Sequence, residues 1–193
     1  MNPKKTKALL LQKLYEPYKE CLSCPLAIST KHTVVCGQGN PNARLMLIGE
    51  APGKHEAEQG LPFVGKSGML LTKALACLDI DREKDVFITN TVKCRPPQNR
   101  KPTHQESKAY KYLLLLKEIE IVQPKVICTL GATALECLLE KPITMSDFRG
   151  KTLSFNGITL IPTYHPAYIL RSPQHFEPWF RDLEKAWELA QQK

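Results

Sequence analysis

The stretch Leu45-Met-Leu-Ile-Gly49-Glu-Ala-Pro-Gly53, continued by Gly60-Leu-Pro-Phe-Val-Gly65-Lys-Ser-Gly68, decides how this chain is read. Four apolar residues in a row, closed by glycine, have the length and character of a strand buried on both faces. Between Gly49 and Gly68 stand five glycines and two prolines, and Glu50 lies directly at the strand's end. That composition indicates tight turns and close backbone approach rather than core packing. A strand running into an acid-bearing, glycine-rich turn delivers N–H groups and a carboxylate to the mouth of a sheet, where open α/β folds bind ligands. The spacing is neither Gly-x-Gly-x-x-Gly nor the Gly-x-x-x-x-Gly-Lys-Ser/Thr phosphate loop, so no nucleotide cofactor is expected.

Working outward, Lys4 to Glu16 places Leu10, Leu11, Leu14 and Tyr15 at helical spacing, and Pro17 should end or kink that helix. Thr33 to Cys36 reads as a short strand and Met69 to Leu78 as a helix. Asp85 to Asn90 and Lys125 to Leu130 are further core strands. Thr103 opens a long helix to Glu120 with Glu106 three positions on, a capping box. A helix to Leu139 follows Gly131, and Ser146 to Gly150 reads as a turn. Asn156-Gly157 between two apolar runs is a hairpin signal. Trp179, Leu183, Ala186, Trp187 and Ala190 fall on one face of a C-terminal helix. Strands alternating with helices imply βαβ units, a mainly parallel sheet with helices on both faces, and one domain over residues 1–193.

The 27 basic against 19 acidic residues give a net charge of +8, which suits a polyanionic partner, nucleic acid first. No apolar run approaches the roughly 20 residues that cross a bilayer, and the basic N-terminal segment lacks a signal-peptide core. Seven cysteines without an export signal read as cytosolic thiols, some of them metal ligands, rather than a disulfide framework. Cys21-Leu-Ser-Cys24, just past a helix, lets two thiolates converge on one ion. A cytoplasmic monomer is expected, with no membrane contact.

Three predicted strands end in polar residues, Glu50, Asn90 and His165, and parallel strands bring their C-terminal ends to one edge. The Asn90 amide can read the edge of a heteroaromatic base. His165 can donate to a carbonyl oxygen, and Glu50 can position water or stabilise developing positive charge. Phe63 offers a ring face for a planar base.

At these residues the chain resembles the family 4 uracil-DNA glycosylases. The resemblance rests on Gly49-Glu-Ala-Pro-Gly53, Glu56, Gly60-x-Pro-Phe-Val-Gly65-x-x-Gly68, Thr89-Asn90-x-Val-Lys-Cys-Arg-Pro-Pro97, Asn99-Arg100 and His165-Pro-Ala-Tyr-x-Leu-Arg171. It implies a three-layer α/β/α sandwich around a four-stranded, mainly parallel sheet, and hydrolysis of the N-glycosidic bond of uracil in DNA. It places Gly49, Ala51, Phe63, Asn90 and His165 around the base, with Glu50, Asn90 and His165 catalytic. The basic segment Lys93, Arg95, Arg100 and Lys101, with Lys66, Ser67 and Arg171, suits phosphates. Ile169 and Leu170 are candidates to wedge into the gap left by the flipped base. Relatives that trap DNA covalently carry a Lys-Arg-Arg-Ile-His insertion after the asparagine motif. The short Gln98-Asn-Arg-Lys-Pro102 stands here, which implies a monofunctional enzyme.

The family holds a [4Fe–4S] cluster on four cysteines, and Cys21, Cys24 and Cys94 match three of them. Tyr110 takes the place of the fourth, and Ala57 replaces an acid that usually follows the glutamate matched by Glu56. Three outcomes follow: a cluster with a non-cysteine or open ligand, recruitment of Cys36, or no cluster. Cys77, Cys128 and Cys137, in apolar surroundings, read as core. The alternative function is a DNA-binding module on the same fold whose catalysis went with the fourth cysteine.

Overall fold

A computed structural model describes residues 3–19, 26 and 34–192. Its centre is a sheet of order β1-β3-β2-β4-β6-β5. The strands are β1 (Gln38–Gly39), β2 (Leu45–Gly49), β3 (Val86–Asn90), β4 (Val126–Leu130), β5 (Leu153–Phe155) and β6 (Ile158–Thr163). The middle four run parallel, as expected, while β1 and β5 add antiparallel edges. The expected four-stranded sheet is thus the parallel centre of a six-stranded one. The β5–β6 hairpin turns at Asn156-Gly157 as its sequence indicates.

Alternation along the strands divides the core. Leu45, Leu47, Val86, Ile88, Val126, Cys128 and Ile161 face one side. There they meet α3 (Lys66–Cys77), α8 (Pro166–Arg171) and α9 (Phe176–Gln191) through Leu71, Ile169, Trp179 and Leu183. Met46, Ile48, Phe87, Ile127 and Leu160 face the other side. They pack on α1 (Pro3–Tyr15), α5 (Leu116–Val122) and α6 (Ala132–Leu139) through Leu11, Ile119 and Leu135. Residues of opposite pleat meet opposite helix layers, which is why these strands read as unbroken apolar runs.

Several elements differ from the sequence expectation. Residues 34–37 form no strand, and the edge strand is the two-residue β1; Thr33 lies outside the described residues. Lys54–Gln59 is a helix, α2, inside the segment read as turn, and α3 begins three residues early. The long helix is α4 (His104–Tyr110), then a π-helical segment Lys111–Leu115, then α5. Its Thr103–Glu106 capping box is present, with the Glu106 N–H donating to Thr103 Oγ1 at 3.2 Å. The wide π turn shifts helical phase, so Tyr110 and Leu114 join one buried cluster while Leu115, Ile119 and Val122 join another. Ser146 to Gly150 holds a short helix, α7 (Met145–Phe148), rather than a simple turn. Cys77 is exposed, because the last turn of α3 points it away from the sheet; Cys128 and Cys137 are buried. Among the described residues no helix is long and apolar enough to cross a membrane.

Candidate active site

The chain departs from β2 to β3 on one side and later returns to β4 on the other, which opens a crevice at the C-terminal ends of these strands. Gly49 and Asn90 are register partners at that edge. The join continues past the strand ends, where the N–H of Thr91 donates to Gly49 O at 2.8 Å and that of Val92 to Glu50 O at 3.2 Å.

Gly49 is the floor of the crevice. A Cβ there would lie 2.4 Å from Asn90 Oδ1 and 2.4 Å from Phe63 Cζ, so the carboxamide and the ring converge over a position only glycine leaves open. Asn90 is 2% exposed, and its Oδ1 has no hydrogen-bond partner among the described residues. A buried acceptor without a donor is uncommon and calls for an explanation at a site.

Phe63 has φ of 54°, in the left-handed region that a bulky residue rarely adopts. Its turn is braced from two directions. Arg82 donates to Phe63 O, Pro62 O and Thr72 Oγ1 at 2.8–2.9 Å. Glu56 accepts from the N–H groups of Gly53, Val64 and Gly65 at 3.1, 2.9 and 2.7 Å, tying the two ends of the glycine-rich segment together. Gly68 lets α3 abut the Phe63 main chain, since a Cβ on it would stand 2.0 Å from Phe63 O.

His165 caps α8. Its Nδ1 accepts the Ala167 N–H at 3.1 Å, which leaves the ring proton on Nε2. Burial, with the nearby Arg171 charge, pushes the imidazole down to about 4 against a smaller opposing effect of Glu56. The ring is therefore neutral at pH 7, a donor through Nε2–H, and its centroid lies 5.7 Å from that of Phe63. Glu50 accepts from Thr133 Oγ1 at the start of α6. A buried amide with an unpartnered oxygen, an aromatic ring, a neutral N–H donor and an anchored carboxylate thus share one sheet edge.

The profile of the uracil DNA glycosylase superfamily matches residues 36–190. The type-4 uracil-DNA glycosylase of Thermotoga maritima is 44% identical over 185 residues, covering 94% of this chain and 95% of that protein. Those of Pyrobaculum aerophilum and Archaeoglobus fulgidus are 43% and 40% identical, over 90% of this chain in each case and 91% and 89% of theirs. The chain belongs to the uracil-DNA glycosylase superfamily, with its type-4 members.

Around this sheet edge the expected rim residues divide. Lys66 and Ser67 open α3, Leu170 and Arg171 end α8, and these two helices pack together. Lys66 and Arg171 are exposed, and Leu170 is 47% exposed; Ile169 is buried in the core, so only its neighbour is free to wedge. Arg95 is half-buried and donates to Asn99 Oδ1. Arg100 forks onto Glu106 at 2.7 and 2.8 Å and holds that carboxyl down at about 2, so its guanidinium is engaged within the loop. Lys101 pairs with Glu136. Lys93 corrects the phosphate reading outright, because its side chain is fully buried against Glu118.

Glu56, Arg82 and Thr133 were not singled out as site residues. Glu56 carried a signal as part of the motif, whereas Arg82 acts on main-chain oxygens that no side-chain pattern reveals. Cys21 and Cys24 lie outside the described residues. Cys94 is buried in a cluster with Tyr110, Leu114, Val92 and Leu26, and Ala51 packs against it. Tyr110, the residue that the family resemblance sets against a fourth thiolate, is buried in this cluster, and a phenol there would not fit an ordinary four-thiolate cluster.

Proposed function

We propose that this protein is a monofunctional uracil-DNA glycosylase that takes uracil out of the DNA stack and hydrolyses its N-glycosidic bond, initiating base excision repair. The observation that carries this reading is the unpartnered Asn90 Oδ1, buried opposite the Phe63 ring across Gly49. Uracil presents an N3–H donor between two carbonyl acceptors. Asn90 Oδ1 accepts the N3–H while its amide N–H donates to O4, and Phe63 stacks on the base. Cytosine reverses both features at the same positions, so each contact would face its own kind.

Flipping the nucleotide costs a few kcal/mol of unstacking, which the pocket contacts offset. As the glycosidic bond breaks, negative charge gathers on uracil and positive charge on the sugar. His165 Nε2–H meets the charge developing at O2, and as a neutral, preplaced donor it needs no reorganisation. Glu50, held by Thr133, faces the sugar side, where its carboxylate steadies the cation and orients water. Lys66, Ser67, Arg95 and Arg171 serve the DNA backbone, Leu170 fills the vacated stack, and Gly49 and Ala51 line the base. Arg100 supports the loop through Glu106.

No step is routed through a [4Fe–4S] cluster; Tyr110, which the resemblance sets in place of a thiol, packs with Cys94 in one buried cluster. The rival reading, a silent DNA-binding module, would leave the buried Asn90 acceptor without purpose. Incubation with uracil-containing single- and double-stranded oligonucleotides, then alkali, is expected to give strand cleavage at uracil and none without alkali. Colourless, iron-free protein is expected to remain active. Folded protein that cleaves neither substrate would overturn the assignment.

A further inference from the structure

Behind Asn90, on the opposite face of the sheet, lies a buried ion pair that the reaction above does not use. In β3, Asn90 shares its pleat with Val86 and Ile88, and Thr89 faces the other way with Phe87. On that far side Lys93 and Glu118 sit 2.7 Å apart, both side chains 0% exposed. Lys93 Nζ donates to Thr89 Oγ1 at 2.6 Å, to the main-chain oxygen of Asn90 at 2.7 Å and to Glu118 Oε2 at 2.7 Å. All three ammonium protons have acceptors. Glu118 in turn receives the Thr89 hydroxyl at 3.0 Å and the Tyr15 hydroxyl at 2.7 Å.

Removing an ammonium and a carboxylate from water is unfavourable, and well-packed apolar residues often hold a fold as well as a buried pair does. What an apolar pair cannot supply is a directed donor to one carbonyl. We propose that Lys93, oriented by Glu118, is a positioning residue for Asn90. It holds the Asn90 main chain at the last parallel register pair, and so aims a carboxamide whose Oδ1 has no hydrogen-bond partner among the described residues. The inference rests on the base-reading role of Asn90 and extends it to a residue that never meets the substrate.

A double-mutant cycle tests it. Lys93→Met with Glu118→Gln removes both charges together, avoiding a lone buried ion. This variant is expected to unfold cooperatively, to bind DNA as the native protein does, and to lose about 10- to 100-fold in single-turnover excision rate. In an Asn90→Ala background the same pair of changes is expected to add no further loss, whereas a purely structural role gives multiplied losses. Lys93→Arg keeps the charge but not the three-way donor geometry. Its expected loss of about tenfold carries the same test if the neutral pair fails to fold. Native-like rates in the folded variants, or multiplied losses, would overturn the inference. A native-like rate for Asn90→Ala alone would remove the base-reading assignment first, and this one with it.

Discussion

Gly49→Ala is the smallest change that puts the pocket geometry to a direct test. The new methyl carbon would lie 2.4 Å from both Asn90 Oδ1 and Phe63 Cζ, where ordinary contact begins near 3.4 Å. Carboxamide and ring must each retreat by about 1 Å. Both are side-chain ends rather than backbone, and β2 is extended at Gly49, so the fold should absorb the change with a loss of about 1–2 kcal/mol. Catalysis should not absorb it. A misplacement of about 1 Å in a positioning group costs on the order of 10²-fold in rate. The assay is single-turnover excision from a uracil-containing oligonucleotide, with thermal unfolding and DNA affinity measured on the same preparation. Expected are a rate reduced about 100-fold, a cooperative transition and an unchanged affinity for uracil-free DNA. A folded variant within about threefold of the native rate would show that Asn90 and Phe63 do not close on the base across Gly49.

Further outcomes concern His165 and the salt dependence of DNA binding. His165 is neutral above about 4, so kcat should show no inflection at the ordinary histidine value of 6.5 and should fall only as pH nears 4. Because folding lowers this pKa, the unfolded chain takes up the proton first. The stability His165 contributes is complete above 6.5 and is lost as pH falls toward 4; an inflection near 6.5 that vanishes in His165→Gln would contradict this. Duplex binding should show a shallow salt dependence, with a log–log slope of about −3 if Lys66, Arg95 and Arg171 each meet one phosphate. Lys66→Ala with Arg171→Ala should bring that slope to about −1, and an unchanged slope would place the DNA elsewhere.

The sheet and its functional edge were legible because each parallel strand is a short apolar run closed by a polar or glycine residue. Parallel strands end together, so Glu50, Asn90 and His165 could be grouped before any coordinates. The two-residue β1 has no period to detect. The short helix α2 lies in a motif whose glycines and prolines read as turn. Gly53 and Gly60 flank α2, and Glu56 closes the loop through main-chain N–H groups. No side-chain spacing records such bonds. The π turn escaped for a related reason, since Leu113 to Leu116 satisfies several helical phases and only packing chooses among them.

Charge was the least legible property, and the reason bears on function. A net charge of +8 points to a polyanion, but it does not say which cations face it. The segment from Lys93 to Lys101 looks like one basic loop, yet Lys93, Arg100 and Lys101 are each paired with a glutamate at 2.6–2.7 Å. Glu118 and Glu136 lie far along the chain, so nothing near the lysines announces the pairing. These bonds brace the segment that follows Asn90, while Lys66 and Arg171, at ends of two helices that pack together, stand exposed. The basic residues of this chain therefore do two kinds of work. Lys93, Arg100 and Lys101 tie down the segment after Asn90, and in the proposed function Lys66, Arg95 and Arg171 are the ones that meet DNA.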